Sequence, residues 1–188
     1  MASTLKVNTI AHTGGITGLT IDNSGKVALP QQFSPNGNLL EQWRFNKGDE
    51  NAMANDTVML AWARDTRAGI AQRNVGIVSD TSTGVFTFPR TGLFKVTFTG
   101  RYYGATSYMG GALEMAVDGS VFNTINQTFN QSEQTNHHFS TTFSTIVDIT
   151  NVTTHKIRFK IFTSSSVNVR GANDVNACTL LFEELGAT

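Results

Sequence analysis

The sequence predicts an all-β protein, built from short strands arranged as a sandwich or a barrel. Apolar residues recur at every second position along most of the chain, as they do in strands with one buried face. Glycine, proline, asparagine and aspartate separate these stretches, and these residue types favour turns. No segment keeps the apolar period of about 3.6 residues that a helix with one buried face would show. Several short strands separated by turns indicate a sandwich or a barrel.

The stretch STGVFTFPRTGLFKVTFTG, residues 82–100, shows this alternation most clearly. Its large apolar side chains stand at every second position: Phe86, Phe88, Phe94, Val96 and Phe98. Polar residues stand between them: Thr87, Lys95, Thr97 and Thr99. Pro89 suits the first central position of a turn, and Gly92 permits a positive φ. We therefore expect two strands that are joined by a tight corner and place their aromatic rings in a core.

Further strand patterns follow one another along the chain. They are LLEQWRFN, DTVMLAWA, NVGIVSD, ALEMAV, SVFNTI, HHFSTTFSTIVDI, HKIRFKIF, SVNVR and CTLLFEEL. In the two longest, alternation predicts one inward-facing set: Phe139, Thr141, Phe143, Thr145, Val147, Ile149, Ile157, Phe159 and Ile161. Asp118-Gly119 separates ALEMAV from SVFNTI, and this dipeptide predicts a two-residue hairpin turn.

Residues 1–30 differ from the rest of the chain. LKVNTI, ITGLTID and KVAL are short alternating pieces separated by glycine-containing turns. Thirty residues cannot bury a core of their own, so we expect residues 1–30 to be an extended or β segment that packs on the main domain, on sister subunits or on a partner. The proline-containing stretch at residues 31–37 is predicted to be a linker, and residues 38–188 are predicted to form the main domain.

Composition excludes several classes of protein. The chain has 14 basic and 14 acidic residues, so it lacks the positive charge of a nucleic-acid-binding protein. No apolar run approaches the length of a membrane span, and the N-terminus has no continuous apolar stretch typical of a secretory signal. Cys178 is the single cysteine, which excludes an intrachain disulfide and predicts a buried thiol in the apolar stretch NACTLLFEEL.

Residues that could bind metal or catalyse a reaction are present but not grouped. His137 and His138 are adjacent, so in a strand they point to opposite faces, although histidines placed around a three-fold axis remain an alternative. The segment KGDEN, residues 47–51, could offer oxygen ligands to calcium, but it lacks the dense carboxylates of a calcium loop. No Gly-x-Ser-x-Gly motif occurs. We expect no catalytic residue, no cofactor and no metal.

The aromatic residues offer the best candidates for recognition. Trp43 and Trp62 are predicted to lie in the core. GRYYGATSYMGG, residues 100–111, is rich in glycine and tyrosine, so Tyr102, Tyr103 and Tyr108 are the candidate residues of a recognition loop. The alternative is that these tyrosines lie at a subunit interface with their hydroxyl groups hydrogen-bonded.

The stretch VSDTSTGVFTFPRTGLFKVTFTG resembles the core of the globular heads of complement-type and tumour-necrosis-factor-like jelly rolls. The matching positions are Asp80, Thr83, Gly84, Phe86, Pro89, Gly92, Phe94 and Phe98. LEMAVDGSVFNTI is similar to the next hairpin of that family, and TLLFEEL is similar to its last strand. The resemblance implies a jelly-roll sandwich that forms a homotrimer, with a Leu–Phe pair of the last strand at the trimer centre. The collagen-like stalk of the complement proteins is absent.

The N-terminal stretch MASTLKVNTIAHTGGITGLTIDNSGKVALP is similar to the opening of tail-fibre and other virion proteins of marine and cyanobacterial phages. This resemblance implies that residues 1–30 attach the protein to other virion proteins of the capsid or tail. It also implies that the protein is assembled in the host cytoplasm and is localised to the virion.

Together the two resemblances predict a non-enzymatic phage structural protein: a trimeric short fibre, spike or decoration protein exposed on the particle. A receptor-binding module that recognises a host surface glycan or protein is the alternative. A bacterial cytokine-like or adhesin jelly roll is a further one. The low content of charged residues, 15%, and the absence of a long shaft favour the structural interpretation.

Overall fold

The computed structural model describes residues 9–11, 17–21, 27–28, 38–48, 51–104, 106–132, 137–171 and 177–186. All regular secondary structure in these residues is β-strand, which confirms the prediction of an all-β protein. The chain divides into two compact units, Met1–Asn38 and Leu39–Thr188. The linker predicted for residues 31–37 lies outside the described residues.

The first unit contains a three-stranded antiparallel sheet. Its strands are β1 (Thr9–Ala11), β2 (Thr17–Ile21) and β3 (Val27–Ala28), with β2 in the centre. Ile10 pairs with Leu19, and Thr20 pairs with Ala28. These strands overlap the alternating pieces LKVNTI, ITGLTID and KVAL, so the predicted β character is confirmed for the described residues of this segment.

The second unit contains two antiparallel sheets. The larger has seven strands: β4 (Leu40–Phe45), β5 (Asn51–Met53), β6 (Trp62–Arg64), β9 (Gly92–Tyr103), β12 (His138–Ile149), β14 (Val167–Val169) and β15 (Thr179–Gly186). The smaller has five strands: β7 (Val78–Asp80), β8 (Val85–Thr87), β10 (Thr106–Ala116), β11 (Asn123–Ser132) and β13 (Lys156–Thr163).

The order of the strands brings distant parts of the chain together. The seven-stranded sheet runs β5-β14-β9-β15-β4-β6, and β12 pairs along the other edge of β9. The five-stranded sheet runs β11-β10-β13-β8-β7. The last strand, β15, therefore lies between β9 and β4, and it hydrogen-bonds to both.

The inward-facing side chains of the two sheets meet in one aromatic core. Phe86 and Phe159 come from the five-stranded sheet, and Trp43, Phe98 and Phe182 come from the seven-stranded sheet. The ring centroid of Phe86 lies 5.3 Å from that of Trp43 and 5.4 Å from that of Phe182. The rings of Phe98 and Phe159 stack at 5.6 Å. Such pairs combine a large buried apolar area with favourable ring geometry.

The predicted faces of the strands are confirmed. The residues predicted to face inward in residues 82–100 are all buried, and so are most of those in β12 and β13: Phe86, Phe88, Phe94, Val96, Phe98, Thr141, Phe143, Val147, Ile149, Ile157, Phe159 and Ile161. Trp43, Trp62 and Cys178 are buried as predicted. Burial raises the pKa of the Cys178 thiol to about 12.

The corner between β8 and β9 requires a glycine. Gly92 has a φ of 149°, and a Cβ atom at this position would lie 2.7 Å from the carbonyl oxygen of Gly186. The side chain would collide with the backbone of β15, so the last strand can lie close to the start of β9 only because Gly92 has no side chain.

The turn between β7 and β8 is organised by Asp80. Its Oδ1 accepts hydrogen bonds from the backbone N–H of Ser82 at 2.8 Å and from the Ser82 hydroxyl at 2.7 Å. Its Oδ2 accepts one from the Thr83 hydroxyl at 2.8 Å. Gly84 closes the turn with a φ of 70°. The Asp, Thr and Gly of this motif therefore have a local structural role.

The hairpin between β10 and β11 is present, but the prediction of a two-residue turn at Asp118-Gly119 is wrong. Residues 117–122 separate the two strands. The Asp118 Oδ1 accepts hydrogen bonds from the backbone N–H groups of Ser120 and Val121, both at 2.8 Å. Through these hydrogen bonds, the Asp118 side chain stabilises a turn that is longer than a two-residue hairpin turn.

A buried carboxylate holds the segment after β6 against β4. Glu41 is fully buried and accepts hydrogen bonds from Trp43 Nε1 at 3.1 Å, from Arg64 Nε at 2.9 Å and from the backbone N–H of Ile77 at 2.8 Å. The Gly76 N–H donates to the same carboxylate. Because its charge is paired and its oxygens are hydrogen-bonded, Glu41 can be accommodated in the interior.

Replacing Phe94 with alanine is expected to lower the free energy of unfolding by about 3–5 kcal/mol, because the ring is fully buried. Lys95 lies on the opposite face of β9 and forms a partly exposed ion pair with Glu183, so Lys95→Ala should cost less than about 1 kcal/mol. Urea unfolding of both variants measures the difference. Equal losses would show that the faces of β9 are assigned wrongly.

Replacing Asp80 with asparagine is expected to remove a pH-dependent part of the stability. The hydrogen bonds from Ser82 and Thr83 hold the pKa of the Asp80 carboxyl at about 2, below the ordinary value of 3.8. A carboxyl with a depressed pKa stabilises the fold above its unfolded pKa, and this contribution is lost as the pH falls from 3.8 toward 2. In urea unfolding over that window, wild type should lose stability more steeply than Asp80→Asn. Parallel curves would contradict the assignment.

Candidate interaction surface

The outer face of the seven-stranded sheet presents a regular array of side chains on four neighbouring strands. We call it the polar face. It consists of the outward-pointing residues of β4, β15, β9 and β12: Leu40, Gln42, Arg44, Thr179, Leu181, Glu183, Leu93, Lys95, Thr97, Thr99, Arg101, Tyr103, His138, Ser140, Thr142, Ser144, Ile146 and Asp148. Each of these side chains is exposed or half-buried.

The register of the strands aligns these side chains in rows. In the central row Gln42 pairs with Leu181, Leu181 pairs with Thr97, and Thr97 pairs with Ser144. The hydroxyl groups of Thr97 and Ser144 are hydrogen-bonded at 2.7 Å. The centre of the polar face is therefore one leucine surrounded by an amide and by hydroxyl groups.

The rows on either side of the centre contain hydroxyl groups, one ion pair and an isoleucine. On one side the hydroxyl groups of Thr99 and Thr142 lie 3.2 Å apart. On the other side Lys95 and Glu183 pair across β9 and β15, with Nζ 2.8 Å from Oε2. The next residue in that row, Ile146, is 59% exposed.

This arrangement is suited to contact with another flat surface. Most of these side chains are uncharged, and Lys95 is paired with Glu183, which limits the charge that has to be desolvated on burial. Arg44, Arg101 and Asp148 are the other charged residues of this face. A sheet with alternating side chains presents few protrusions, which allows close packing against a matching sheet. The polar face can therefore support protein–protein association.

The structure corrects the prediction of a recognition loop at residues 100–111. Gly100–Tyr103 and Thr106–Gly111 belong to the long strands β9 and β10, so the connection between them occupies only positions 104 and 105. Tyr102 is 0% exposed and packs in the core beside Phe139, with ring centroids 5.7 Å apart. Burial raises the pKa of the Tyr102 hydroxyl. Tyr102 therefore offers no ring to a ligand at the surface.

Tyr103 and Tyr108 are not brought together. Tyr103 lies on the polar face, where its ring centroid is 4.7 Å from that of His138. Tyr108 lies on the outer face of the five-stranded sheet, where its ring stacks on Phe162 at 5.0 Å. The reason is that β9 and β10 belong to different sheets, so consecutive strands carry their outward side chains to opposite sides of the sandwich.

The two adjacent histidines lie in different surroundings. His137 precedes β12, and its carbonyl oxygen accepts a hydrogen bond from the Gly104 N–H, whereas the His138 ring lies beside Tyr103. In KGDEN, positions 49 and 50 lie outside the described residues. Among the residues that the structure describes, no three His, Cys, Asp or Glu side chains are grouped to hold a metal ion. The described part of the chain also contains no helix that could cross a membrane.

Sequence reasoning missed one surface feature. Phe129 and Phe162 join Tyr108 in an exposed aromatic cluster on the outer face of the five-stranded sheet. A signal was present, because Phe162 occupies an outward position in HKIRFKIF and Phe129 is the one aromatic residue in the largely polar strand NTINQTFNQS. The pairing of β10 with both β11 and β13 was not visible in the sequence.

Comparison with solved structures identifies the fold. The chain is similar to the Eiger TNF of S. frugiperda, with a TM-score of 0.65 and 12% identity over 81% of this chain and 95% of that one. It is also similar to murine APRIL, with a TM-score of 0.55 and 12% identity over 79% of this chain and 99% of that one. The fold is therefore a tumour-necrosis-factor-like jelly roll. No protein-family model matches the sequence. No curated protein matches it either.

Proposed function

We propose that this protein is a non-enzymatic structural subunit of a phage particle: a homotrimer whose jelly roll is exposed as a short fibre, spike or decoration protein. The observation that carries the proposal is the polar face, a sheet surface of mostly uncharged side chains with Leu181 at its centre. Such a surface is suited to permanent contact with further copies of the chain.

The proposed trimer places the polar faces around a three-fold axis. Leu181 and Thr97 stand at the centre of this face, so they are the residues that we expect closest to the neighbouring subunits. The three-fold arrangement follows from the resemblance to tumour-necrosis-factor-like jelly rolls. One part of that resemblance needs correction, because Phe182 is fully buried in the core of its own subunit. Only Leu181 of the Leu–Phe pair points outward.

The buried acidic residues support a structural role. Glu41, Asp65 and Glu114 are the buried carboxylates among the described residues, and each forms an ion pair with an arginine. These carboxylates are engaged in holding strands and loops together, which accounts for their burial without a catalytic role.

The N-terminal unit supports an anchoring role. Its three strands are short, and a small sheet of this kind gains stability by packing on a larger surface. The resemblance of residues 1–30 to the N-termini of phage virion proteins identifies that surface, in this proposal, as another protein of the particle. The protein is then assembled in the host cytoplasm and localised to the virion.

Replacing Leu181 with arginine is expected to convert the trimer into monomers, because three charges would be buried close together at the interface. Light scattering on residues 38–188 should give a trimer for the wild type and a monomer for Leu181→Arg. Val121→Arg is the matched control, because Val121 is 58% exposed and lies in the β10–β11 turn of the other sheet. A monomeric wild type, or a trimeric Leu181→Arg variant with an unchanged melting temperature, would contradict the proposed interface.

Deleting residues 1–30 is expected to leave a soluble trimer with a nearly unchanged melting temperature, since the core lies in the Leu39–Thr188 unit. The shortened protein should fail to join particles during assembly, which electron microscopy and protein analysis of purified particles would measure. If it joins particles normally, the attachment surface lies on the jelly roll. If it unfolds, residues 1–30 are part of the fold rather than an anchor.

A receptor-binding role is the second candidate function. The observation that favours it is the exposed aromatic cluster around Phe129, which is separate from the polar face.

A further inference from the structure

Three aromatic rings are in contact across three neighbouring strands: the rings of Tyr108 and Phe162 stack, and the ring of Phe129 is inclined to both. Phe129 lies on β11, Tyr108 on β10 and Phe162 on β13. Their ring centroids are 5.0 Å apart for Tyr108 and Phe162, and 6.1 Å apart for each of the other two pairs. We call this surface the aromatic platform. Phe129 and Phe162 stand directly opposite Gly110 in the register, on either side of β10.

The aromatic platform occupies outward positions of its strands, where polar residues are usually found. Phe129 is 58% exposed, and Tyr108 and Phe162 are half-buried. The other outward residues of β13 are Lys156, Arg158 and Lys160, so Phe162 is an aromatic residue at the end of a row of cations. Large exposed aromatic groups on a monomer commonly mark a surface that binds a partner.

The charges near the platform are compensated by each other. Lys160 Nζ lies 2.9 Å from a Glu114 oxygen and 2.8 Å from an Asp56 oxygen. Arg158 Nε lies 2.6 Å from the other Glu114 oxygen. An anionic ligand would have to compete with these carboxylates for both cations, so this face favours a ligand without formal charge.

The polar neighbours of the platform are amides. Gln127 and Gln131 stand on the same side of β11 as Phe129, two residues before it and two residues after it, and both are exposed. An amide side chain can donate and accept hydrogen bonds at once, which suits a ligand whose hydroxyl groups also do both.

We propose that the aromatic platform binds a neutral carbohydrate. The negatively polarised face of the exposed Phe129 ring would contact the C–H groups on one side of a pyranose ring, Tyr108 and Phe162 would support that ring from the neighbouring strands, and the amides of Gln127 and Gln131 would bond to the hydroxyl groups of the sugar. An exposed ring on the surface of a sheet allows this stacking without a deep pocket. The proposal is independent of the proposed trimer, because the platform lies on the five-stranded sheet and the polar face lies on the other.

Binding of the full-length protein to a glycan array tests the proposal. The array should carry neutral oligosaccharides of glucose, galactose, mannose and N-acetylglucosamine together with sialylated and sulfated glycans. We expect binding to members of the neutral set that extra salt does not weaken, since no ion pair is involved. Binding to charged glycans alone, or to none of the array, would overturn the proposal.

Variants of Phe129 test whether the sugar stacks on the aromatic ring or only contacts an apolar side chain. Phe129→Leu keeps an apolar side chain but loses the ring face, so the affinity for the bound glycan should fall about tenfold or more. Phe129→Trp should retain binding, and Val121→Ala is the control at an equally exposed apolar position. Undiminished binding by Phe129→Leu would overturn the proposal. So would a change in its association state by light scattering, because that would show a second copy covering the platform.

Discussion

The structure of the second unit depends on aromatic rings that pack between its five-stranded and seven-stranded sheets. Phe86 of the five-stranded sheet touches Trp43 and Phe182 of the seven-stranded sheet, and Phe159 stacks on Phe98. Burial of these rings removes a large apolar area from water, which is the main favourable contribution to folding. Because side chains alternate along a strand, placing the rings inward leaves every second position to face outward.

The same constraint explains where glycine occurs. A Cβ atom at Gly111 would collide with the ring of Phe98, and one at Gly100 would collide with the ring of Tyr102. Both glycines face the core, where neighbouring rings occupy the space of their missing side chains. At the corner between β8 and β9, a Cβ atom at Gly92 would collide with the backbone of Gly186, so the glycine allows β15 to approach β9. The large rings can therefore pack closely because glycine stands at the neighbouring positions.

The two outer faces of the sandwich have different chemistry, and this separates the two proposed roles. The seven-stranded sheet presents hydroxyl groups, a leucine and a balanced ion pair, which suit close contact between copies of the chain. The five-stranded sheet presents three aromatic rings beside amides and compensated charges, which suit a neutral ligand. Because the faces point away from each other, an assembly through the polar face leaves the aromatic platform available for binding.

The sequence by itself determined the class of fold and the inward-facing residues, because a two-residue period is a local property that any strand with one buried face must show. It predicted the burial of Phe94, Trp62 and Cys178, and the resemblance of residues 78–100 identified the jelly roll. Only the tertiary structure decided which strands become neighbours. Because of that pairing, Tyr102 is buried, and Tyr103 and Tyr108 lie on different sheets. The pairing also brings Tyr108 into contact with Phe129 and Phe162. It also buried Glu41 against Arg64. These contacts join residues far apart in the chain, and their register depends on the packing of both sheets together.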